Sequence, residues 1–357
     1  MNIENTLKVF ALMILCFSCK QQVTSNKTVE PISISKTDIS SQKSKSWVFT
    51  SIIRSILHDS KGNFWFGSDK EGVCKYNGET FTYFTMNEGL SNNQIRTIQE
   101  DIQGNIWFAT ANAVCTYDGD TIIQQSAIKN FLPQTTLSSN WQNTPNDLWF
   151  NGEVEGGIYR YDGKHLNLLN FPILHLNNES SHLGGTVTGI SKGMNNMLWI
   201  SNYNGILGYN GKEFIDINEK DVSYHVRNIL EDSKGRLWIA NNGIGVLMYD
   251  GKTTHYLSDL LGQDKFPKFT DTIYPYPVPM HVFGLAEDKH GHIWFGDRDT
   301  GAWKYDGTTL KNYTQKDGLP NNFVWHIYQD NNQELWFGLS DGYVCRFDGT
   351  RFEIVFR

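Results

Sequence analysis

Residues 226–239 read VRNILEDSKGRLWI, and the triplet Tyr249-Asp250-Gly251 follows ten residues later. A Trp followed by a triplet of an aromatic residue, Asn or Asp, and Gly recurs seven times along the chain. The tryptophans are Trp65, Trp107, Trp149, Trp199, Trp238, Trp294 and Trp336. The glycines of the triplets that follow them are Gly78, Gly119, Gly163, Gly211, Gly251, Gly307 and Gly349. A fixed period of about 20–50 residues indicates a solenoid, a propeller or an array.

One repeat can be divided into strands from its hydrophobic pattern. Residues 95–101 (IRTIQED) predict a strand that ends in an acidic pair, and Asp101 to Gly104 then predicts a tight turn. Residues 105–108 and 113–117 predict two more strands, and Asp118-Gly119 predicts the hairpin that leads into a fourth. Each repeat is therefore expected to form four short antiparallel strands.

The period selects one all-β architecture. Four strands per forty residues, with an aromatic residue at one fixed place in every copy, predict a seven-bladed β-propeller of four-stranded antiparallel blades. One third-strand position is apolar in all seven copies, which indicates blades covered on both faces. Its occupants are Val73, Val114, Ile158, Ile206, Val246, Ala302 and Val344.

Residues 226–239 with their triplet closely resemble the two-component regulator propeller repeat, and the copies around Trp65, Trp107 and Trp294 match as well. Glu88-Gly89-Leu90 and Asp317-Gly318-Leu319 look like the segment that joins blades in that family. The resemblance covers roughly residues 50 to 357. It implies a sensor-type propeller, here expected as a stand-alone lipoprotein without the membrane span and histidine kinase of such sensors.

Two repeats depart from the family pattern. The acidic pair is replaced by Gln142-Asn143 before Trp149 and by Lys192-Gly193 before Trp199. These blades keep the fold signature, but their turns are not expected to follow the common form.

The N-terminus predicts a targeting segment and a tether. Residues 7–17 are apolar apart from Lys8, which suits the hydrophobic region of a secretory signal and is too short to span a bilayer. Ser18-Cys19 resembles the end of a lipoprotein cleavage box, so Cys19 is the predicted lipidation site. Polar residues that cannot bury a core follow. We therefore predict a signal peptide (1–18), a flexible tether (19–46) and the propeller (47–357), held in the bacterial cell envelope, at the outer membrane.

The composition limits the classes of partner that the protein is expected to bind. The chain has 357 residues, 13% of them aromatic, and a net charge of -7. This charge argues against nucleic acid, because phosphate backbones attract clustered Lys and Arg. No cofactor is expected, and membrane contact is expected only through the lipid anchor. Cys74, Cys115 and Cys345 fall at one repeat position in different blades, too far apart for a disulfide, and are predicted to be free thiols.

One position near the start of each innermost strand predicts a ligand site at the channel mouth. Around the ring it is Arg54, Arg96, Ser138, Thr188, Arg227, Phe283 and Trp325. Arginine can bind a carboxylate or sulfate with two parallel hydrogen bonds. Equally, the arginines could pair with neighbouring loops or with Glu100, Glu231 and Glu287.

Three long loops between blades are expected near the same mouth: Gln124 to Asn140, Leu168 to Thr186, and Asp259 to Met280. The last carries Tyr274 and Tyr276 between prolines, and flat tyrosine rings in a stiff loop suit sugar rings or apolar groups. A loop that only caps the ring remains the alternative.

Two classes of function stay open. The first is a non-catalytic, lipid-anchored binding protein that recognises an extracellular ligand, such as a glycan, or a partner protein. The second is a metal-dependent lyase or hydrolase with its site at the same mouth, for which His225, His281 and His326 are weak candidates as metal ligands because they lie near the inner-strand starts of successive blades.

Ring closure is predicted separately. Residues 352–355 align with residues 81–84, so the first and last repeats each own all of their strands. Blades 1 and 7 should then close the ring by packing, and residues 47–49 should add a fifth strand or a plug.

Overall fold

The computed structural model describes residues 42–130, 143–151, 157–170, 186–203, 205–218, 225–262 and 278–357. Their strands form seven separate sheets, one for each Trp repeat, and the predicted seven-bladed β-propeller of four-stranded blades is confirmed. Within these ranges the helical content is one short helix, α1 (Leu257–Leu260), and the 3-10 turns Met86–Glu88, Met194–Asn196 and Gln315–Asp317.

Strands are numbered along the chain, and each blade uses consecutive ones. Blades 1 to 3 contain β1 (Gln42–Ser44), β2 (Ile53–His58), β3 (Phe64–Ser68), β4 (Val73–Tyr76) and β5 (Phe81–Phe84); β6 (Ile95–Glu100), β7 (Ile106–Thr110), β8 (Val114–Tyr117) and β9 (Ile122–Gln124); and β10 (Ile128–Asn130), β11 (Leu148–Asn151), β12 (Gly157–Tyr161) and β13 (Leu166–Asn170).

The other four blades repeat one pattern without extra strands. They contain β14 (Val187–Lys192), β15 (Leu198–Asn202), β16 (Gly205–Tyr209) and β17 (Phe214–Asp216); β18 (Val226–Glu231), β19 (Leu237–Asn241), β20 (Val246–Tyr249) and β21 (Thr254–Tyr256); β22 (Val282–Glu287), β23 (Ile293–Asp297), β24 (Gly301–Tyr305) and β25 (Leu310–Tyr313); and β26 (Val324–Gln329), β27 (Leu335–Leu339), β28 (Val344–Phe347) and β29 (Phe352–Phe356).

Blade 3 differs from the others. Its described strands run in the order β10-β13-β12-β11, and β10 pairs with the outer strand β13 in parallel. The stretch from Gln124 to Asn140, predicted as a loop, therefore contributes a short outer strand. Ser138, which we placed on the inner strand of this blade, lies outside the described residues.

The ring closes as the repeat alignment predicts. Among the described inner strands, β2 contacts β6, β14 contacts β18, β18 contacts β22, β22 contacts β26, and β2 of blade 1 contacts β26 of blade 7. Blade 7 is built entirely from β26 to β29, so no strand is borrowed from the N-terminus. Closure by packing of blade 7 on blade 1 is confirmed.

The predicted fifth strand at residues 47–49 is wrong, because the added strand is β1, which pairs with β5 at the outer edge of blade 1. The part of the chain that joins blade 1 thus begins no later than Gln42, inside the stretch assigned to the tether. Trp47 instead packs across the seam between the first and last blades. Its indole N–H donates to the carbonyl of Gly342 at 3.0 Å, and its ring stacks on Phe356 with centroids 5.2 Å apart.

In most blades the repeated Trp is held by an Asp of its own blade. In five blades the indole N–H donates to an Asp six residues earlier, at 2.7–3.0 Å. The same Asp also accepts backbone N–H groups of the turn, as Asp59 does from Lys61 and Asn63. One residue therefore fixes the turn and the core Trp together.

The two departing blades replace that carboxylate in different ways. Trp149 donates to Asn143 at 3.3 Å within blade 3. Trp199 of blade 4 donates to Glu231, which comes from blade 5 and also accepts the Met194 N–H at 2.6 Å. A side chain at Gly193 would occupy the space of the Glu231 carboxylate, so the glycine of Lys192-Gly193 is what admits it.

The triplet aromatics join neighbouring blades. In blades 2, 3, 5, 6 and 7 the triplet ring packs on the Trp of the blade before it. The centroids lie 5.5 Å apart for Trp65 and Tyr117 and 4.1 Å apart for Trp107 and Tyr161. Trp238 and Tyr305, at 5.7 Å, repeat the contact. The Trp-to-triplet spacing therefore encodes blade-to-blade packing as well as blade number.

Glu100, Glu231 and Glu287 bind the turn of the preceding blade. Ser60 donates to Glu100 and Ser233 donates to Glu287, each through its backbone N–H and its hydroxyl. In the part of the chain that the structure describes, neither Arg54 nor Arg227 forms an ion pair with any of these glutamates.

Cysteine is free in the described part of the chain. Cys74, Cys115 and Cys345 are buried and unpaired, as predicted. Burial raises the pKa of the Cys345 thiol to about 12 and also raises that of Cys115. Both thiols are thus kept protonated and serve as small core residues.

Candidate functional site

Six innermost strands carry a β-bulge at their second residue. The pairing register shifts across that residue in β2, β6, β14, β18, β22 and β26. A bulge leaves one residue unpaired and re-aims its side chain. The residues at these bulges are Arg54, Arg96, Thr188, Arg227, Phe283 and Trp325.

A small residue of the second strand lies beside each bulge. In the six bulged blades the residue two places after the Trp is Gly, Ala or Ser, as Gly67, Gly296 and Gly338 show. A Cβ at Gly67 would clash with Ile95 of the next blade, and one at Gly338 would clash with Ile53. The small residue therefore lets the neighbouring inner strand come close. This regularity was readable in the sequence, but the alignment alone did not reveal the bulge.

All six bulge residues line one cavity on the propeller axis. Its volume is about 690 Å³, within the roughly 300–1,000 Å³ of small-molecule sites. The described lining residues include the cations Arg54, Arg96, Lys192 and Arg227, and none of them is Asp or Glu. The cavity is thus a concentrated positive region in a chain whose net charge is -7.

Two arginines flank a pair of aromatic side chains along one arc of this cavity. The Arg227 guanidinium lies 4.9 Å from the centre of the Phe283 ring, and Phe283 lies 4.6 Å from Trp325. The Arg54 guanidinium lies 5.0 Å from the Trp325 ring. Four neighbouring blades, 5, 6, 7 and 1, therefore build a continuous surface of cations and flat rings.

Arg54 has one carboxylate partner. Its Nη1 donates to Asp69 at 2.7 Å, and the Gln94 amide donates to the same oxygen at 2.9 Å. Pairing with a neighbouring loop, one of the two alternatives for the arginines, is thus realised here. The Nε of Arg54 is buried without a hydrogen-bond partner.

Arg227 is held by rings. It lies 4.9 Å from the Tyr203 ring and donates weakly to the Tyr203 hydroxyl at 3.4 Å. No carboxylate of the described residues forms an ion pair with it, and its Nε is buried without a partner. Burial lowers the pKa of Arg227, and the nearby charges of Arg54 and Arg298 act in the same direction. Its charge is therefore available to a ligand.

The three histidines are not gathered into one site. His281 pairs with Asp299 at 2.8 Å, whereas the His225 ring faces Tyr203 at 5.3 Å and lies 3.4 Å from the Asn242 amide. His326 lines the cavity. Across the described ranges no group of three or more His, Cys, Asp or Glu is arranged to hold a metal ion.

Six of the seven predicted ring residues line the cavity, Ser138 lies outside the described residues, and other parts of the wall were missed. Tyr203, between β15 and β16, and Lys192, at the end of β14, both reach the cavity from blade 4. The only sequence signal was the departure of blade 4 from the repeat. Tyr274 and Tyr276 lie outside the described residues, so their predicted role stays a prediction.

A family model described as "Two component regulator propeller" matches residues 48–70, 89–112, 222–243 and 318–341. These stretches contain Trp65, Trp107, Trp238 and Trp336, four of the seven repeated tryptophans. These four stretches are two-component regulator propeller repeats. The copy around Trp294, which we had likened to the family, is not among the matched stretches.

Solved structures with a similar fold include two extracellular domains. The extracellular domain of BT3049 from B. thetaiotaomicron, described as a hybrid two component system, superposes with a TM-score of 0.60 at 19% identity over 86% of this chain. That of BT4673 gives 0.56 at 23% identity over 85%. This chain spans about 40% of the length of both structures.

An enzyme also has this fold. Virginiamycin B lyase from Staphylococcus aureus superposes with a TM-score of 0.62 at 13% identity, over 85% of this chain and 97% of the lyase. At such identities the likeness shows the fold alone. No curated protein sequence is significantly similar to this chain.

The described residues contain no helix long and apolar enough to cross a bilayer.

Proposed function

We propose that this two-component regulator propeller is a non-catalytic, sensor-like binding protein whose ligand enters the central channel. One observation carries the proposal. Positions with a structural task repeat from blade to blade, as the Trp residues do, whereas the bulge position holds arginine, threonine, phenylalanine or tryptophan. Equivalent positions with different chemistry build an asymmetric surface, and a specific ligand requires such a surface.

The ligand classes that we propose are a soluble glycan and a segment of a partner protein. A glycan suits the Phe283–Trp325 surface, because sugar rings stack on flat aromatic faces. A peptide suits it through the same rings and the arginines. Fold-level analogy with the extracellular domains of BT3049 and BT4673 adds only a weak argument for sensing.

A screen of soluble saccharides and peptides tests the proposal. Thr188→Trp should fill the channel from blade 4 and abolish binding of any hit, since Thr188 lines the cavity. Thr350→Trp is the matched control, because Thr350 lies in an exposed turn of blade 7. Hits that bind Thr188→Trp as tightly as the wild type would place recognition outside the channel.

We further propose that Cys19 is lipidated and anchors the protein in the bacterial cell envelope, at the outer membrane. Ser18-Cys19 after residues 7–17, which are apolar apart from Lys8, supports this proposal. Metabolic labelling with a fatty acid should mark the wild type and leave Cys19→Ser unlabelled. Equal labelling of both proteins would contradict the anchor.

A further inference from the structure

Charge and shape together restrict the ligand beyond the proposal above. We infer that the channel binds a small ring compound bearing a carboxylate or sulfate, with the anionic group at Arg227 and the ring against Phe283 and Trp325. This inference rests on the proposed function and names the ligand class of that site.

The first argument is the sign of the charge. Arg54, Arg96, Lys192 and Arg227 line the cavity, and no described lining residue is acidic. In an acidic protein, chance would place acidic side chains in a wall of this size. A cleft lined by one sign of charge focuses the field and attracts counter-ions. An anion is therefore the complementary ligand.

The second argument is unused hydrogen-bonding capacity. The buried Nε of Arg227 has no acceptor, and in the described part of the chain no carboxylate pairs with its guanidinium. A buried donor without a partner is costly, and a carboxylate or sulfate oxygen can accept from Nε and a neighbouring Nη together. Asp69 already occupies one side of Arg54, so Arg227 is the principal contact.

The third argument concerns the ring. Arg227, Phe283, Trp325 and Arg54 form one continuous arc with neighbouring separations of 4.6–5.0 Å. Trp325 is only partly buried, so part of its ring faces the cavity. An ion without a ring would leave this aromatic surface in contact with water. A flat apolar face attached to the anion covers it.

Calorimetric titration with five probes tests the inference. The probes are sodium sulfate and two pairs that differ mainly in charge: phenylacetate with phenylacetamide, and galacturonate with galactose. We expect at least one acid to bind about 10- to 100-fold more tightly than its neutral partner, the range of one charge-assisted contact. The responding pair distinguishes an aromatic acid from a sugar acid. Sulfate alone should bind more weakly than that acid.

Variants locate the effect. Arg227→Met should remove the preference for the acid, and Arg227→Lys should keep part of it, since charge remains but the two-pronged geometry is lost. Arg351→Met is the matched control, because Arg351 lies in an exposed turn and its side chain is 78% exposed. Circular dichroism of each variant confirms folding, and the Lys variant keeps the test valid if Arg227→Met does not fold.

Each remaining outcome overturns the inference. Equal binding of acid and neutral partner removes the anion requirement and leaves the proposed function standing. If both Arg227 variants still prefer the acid over its neutral partner, the anionic group does not bind at Arg227. If sulfate binds as tightly as the best acid, the ligand does not require a ring. If no probe binds, the ligand class is wrong, and the saccharide and peptide screen decides separately whether the channel binds a ligand.

Discussion

At the scale of single residues, four blades place a glycine at one position of the first turn, and blade 7 does not. Gly62, Gly104, Gly235 and Gly291 have φ between 77° and 83° in this turn. Blade 7 has Gln333 there, with φ of 64°. A residue with a Cβ is strained in the left-handed region, at a cost of about 1–2 kcal/mol.

Gln333→Gly should therefore raise the free energy of unfolding. We expect a gain of about 0.5–1 kcal/mol, because glycine also increases the entropy of the unfolded chain. Urea denaturation measures it as a shift in midpoint at constant slope. The reciprocal Gly62→Gln should cost about 1 kcal/mol, since no atom lies near its added Cβ and only φ opposes it. Equal stability of both variants and the wild type would refute the explanation.

His326 should make stability depend on pH. Burial lowers its pKa to about 4, whereas an unfolded histidine titrates near 6.5. Between these values the unfolded chain binds the extra proton, so stability falls as pH decreases from about 6.5 to 4. His326→Gln should flatten the curve of unfolding free energy against pH in this window, and His290→Gln, at an exposed position, should not. An unchanged slope in His326→Gln would contradict the assignment.

At the scale of elements, the turns between first and second strands hold neighbouring blades together through a glutamate. Glu231 is the most demanding case, because the first turn of blade 4 contains no carboxylate and both Trp199 and Met194 donate to Glu231. Glu287 accepts the same number of donors from Ser233, but these are exposed.

Glu231→Ala should accordingly destabilise the protein more than Glu287→Ala does. We expect a loss of about 1–3 kcal/mol at Glu231, where a partly buried indole N–H loses its acceptor, and less than about 1 kcal/mol at Glu287, where water replaces the carboxylate. Thermal and urea unfolding of the two variants provide the comparison. Equal losses would show that blade 4 does not depend on its neighbour.

Sequence reasoning succeeded where one residue does the same task in each blade. The Trp and the triplet glycine fix register, so blade number, strand order and the ring positions followed from them. It failed where the partner is supplied by a distant backbone or side chain. The polar segment Gln42-Lys43-Ser44 becomes a strand only because β5 offers a free edge. A repeat alignment shows neither the pairing of Arg54 with Asp69 nor the hydrogen bonds that blade 4 donates to Glu231 of blade 5.

At the scale of the whole molecule, the seam between blades 1 and 7 is where the ring must be closed. Trp47 contacts Phe66 and Phe81 of blade 1 and Phe356 of blade 7, with centroids 5.2–5.8 Å apart. Thr50 and Ser51 donate to Glu71 at 2.7–3.1 Å and hold the following residues on blade 1. The segment before β2 thus fastens the seam without entering the sheet of blade 7.

Trp47→Ala should lower the free energy of unfolding by about 2–3 kcal/mol, toward the lower end for tryptophan because the side chain is only partly buried. Trp47→Phe should cost about 1 kcal/mol, since it keeps most of the packing and loses the hydrogen bond to Gly342. Urea denaturation of both variants measures these changes in the free energy of unfolding. A loss below about 0.5 kcal/mol in Trp47→Ala would show that the ring closes without this segment.

The central claim is that the positively charged channel is the binding site of the propeller. Anomalous diffraction from crystals soaked in sodium selenate tests it most directly, because selenate resembles sulfate and its selenium can be located independently. The account predicts a selenium peak inside the channel, with a selenate oxygen about 3 Å from the Arg227 guanidinium. Selenium peaks confined to the outer rim, with the channel free of anion at saturating selenate, would contradict it.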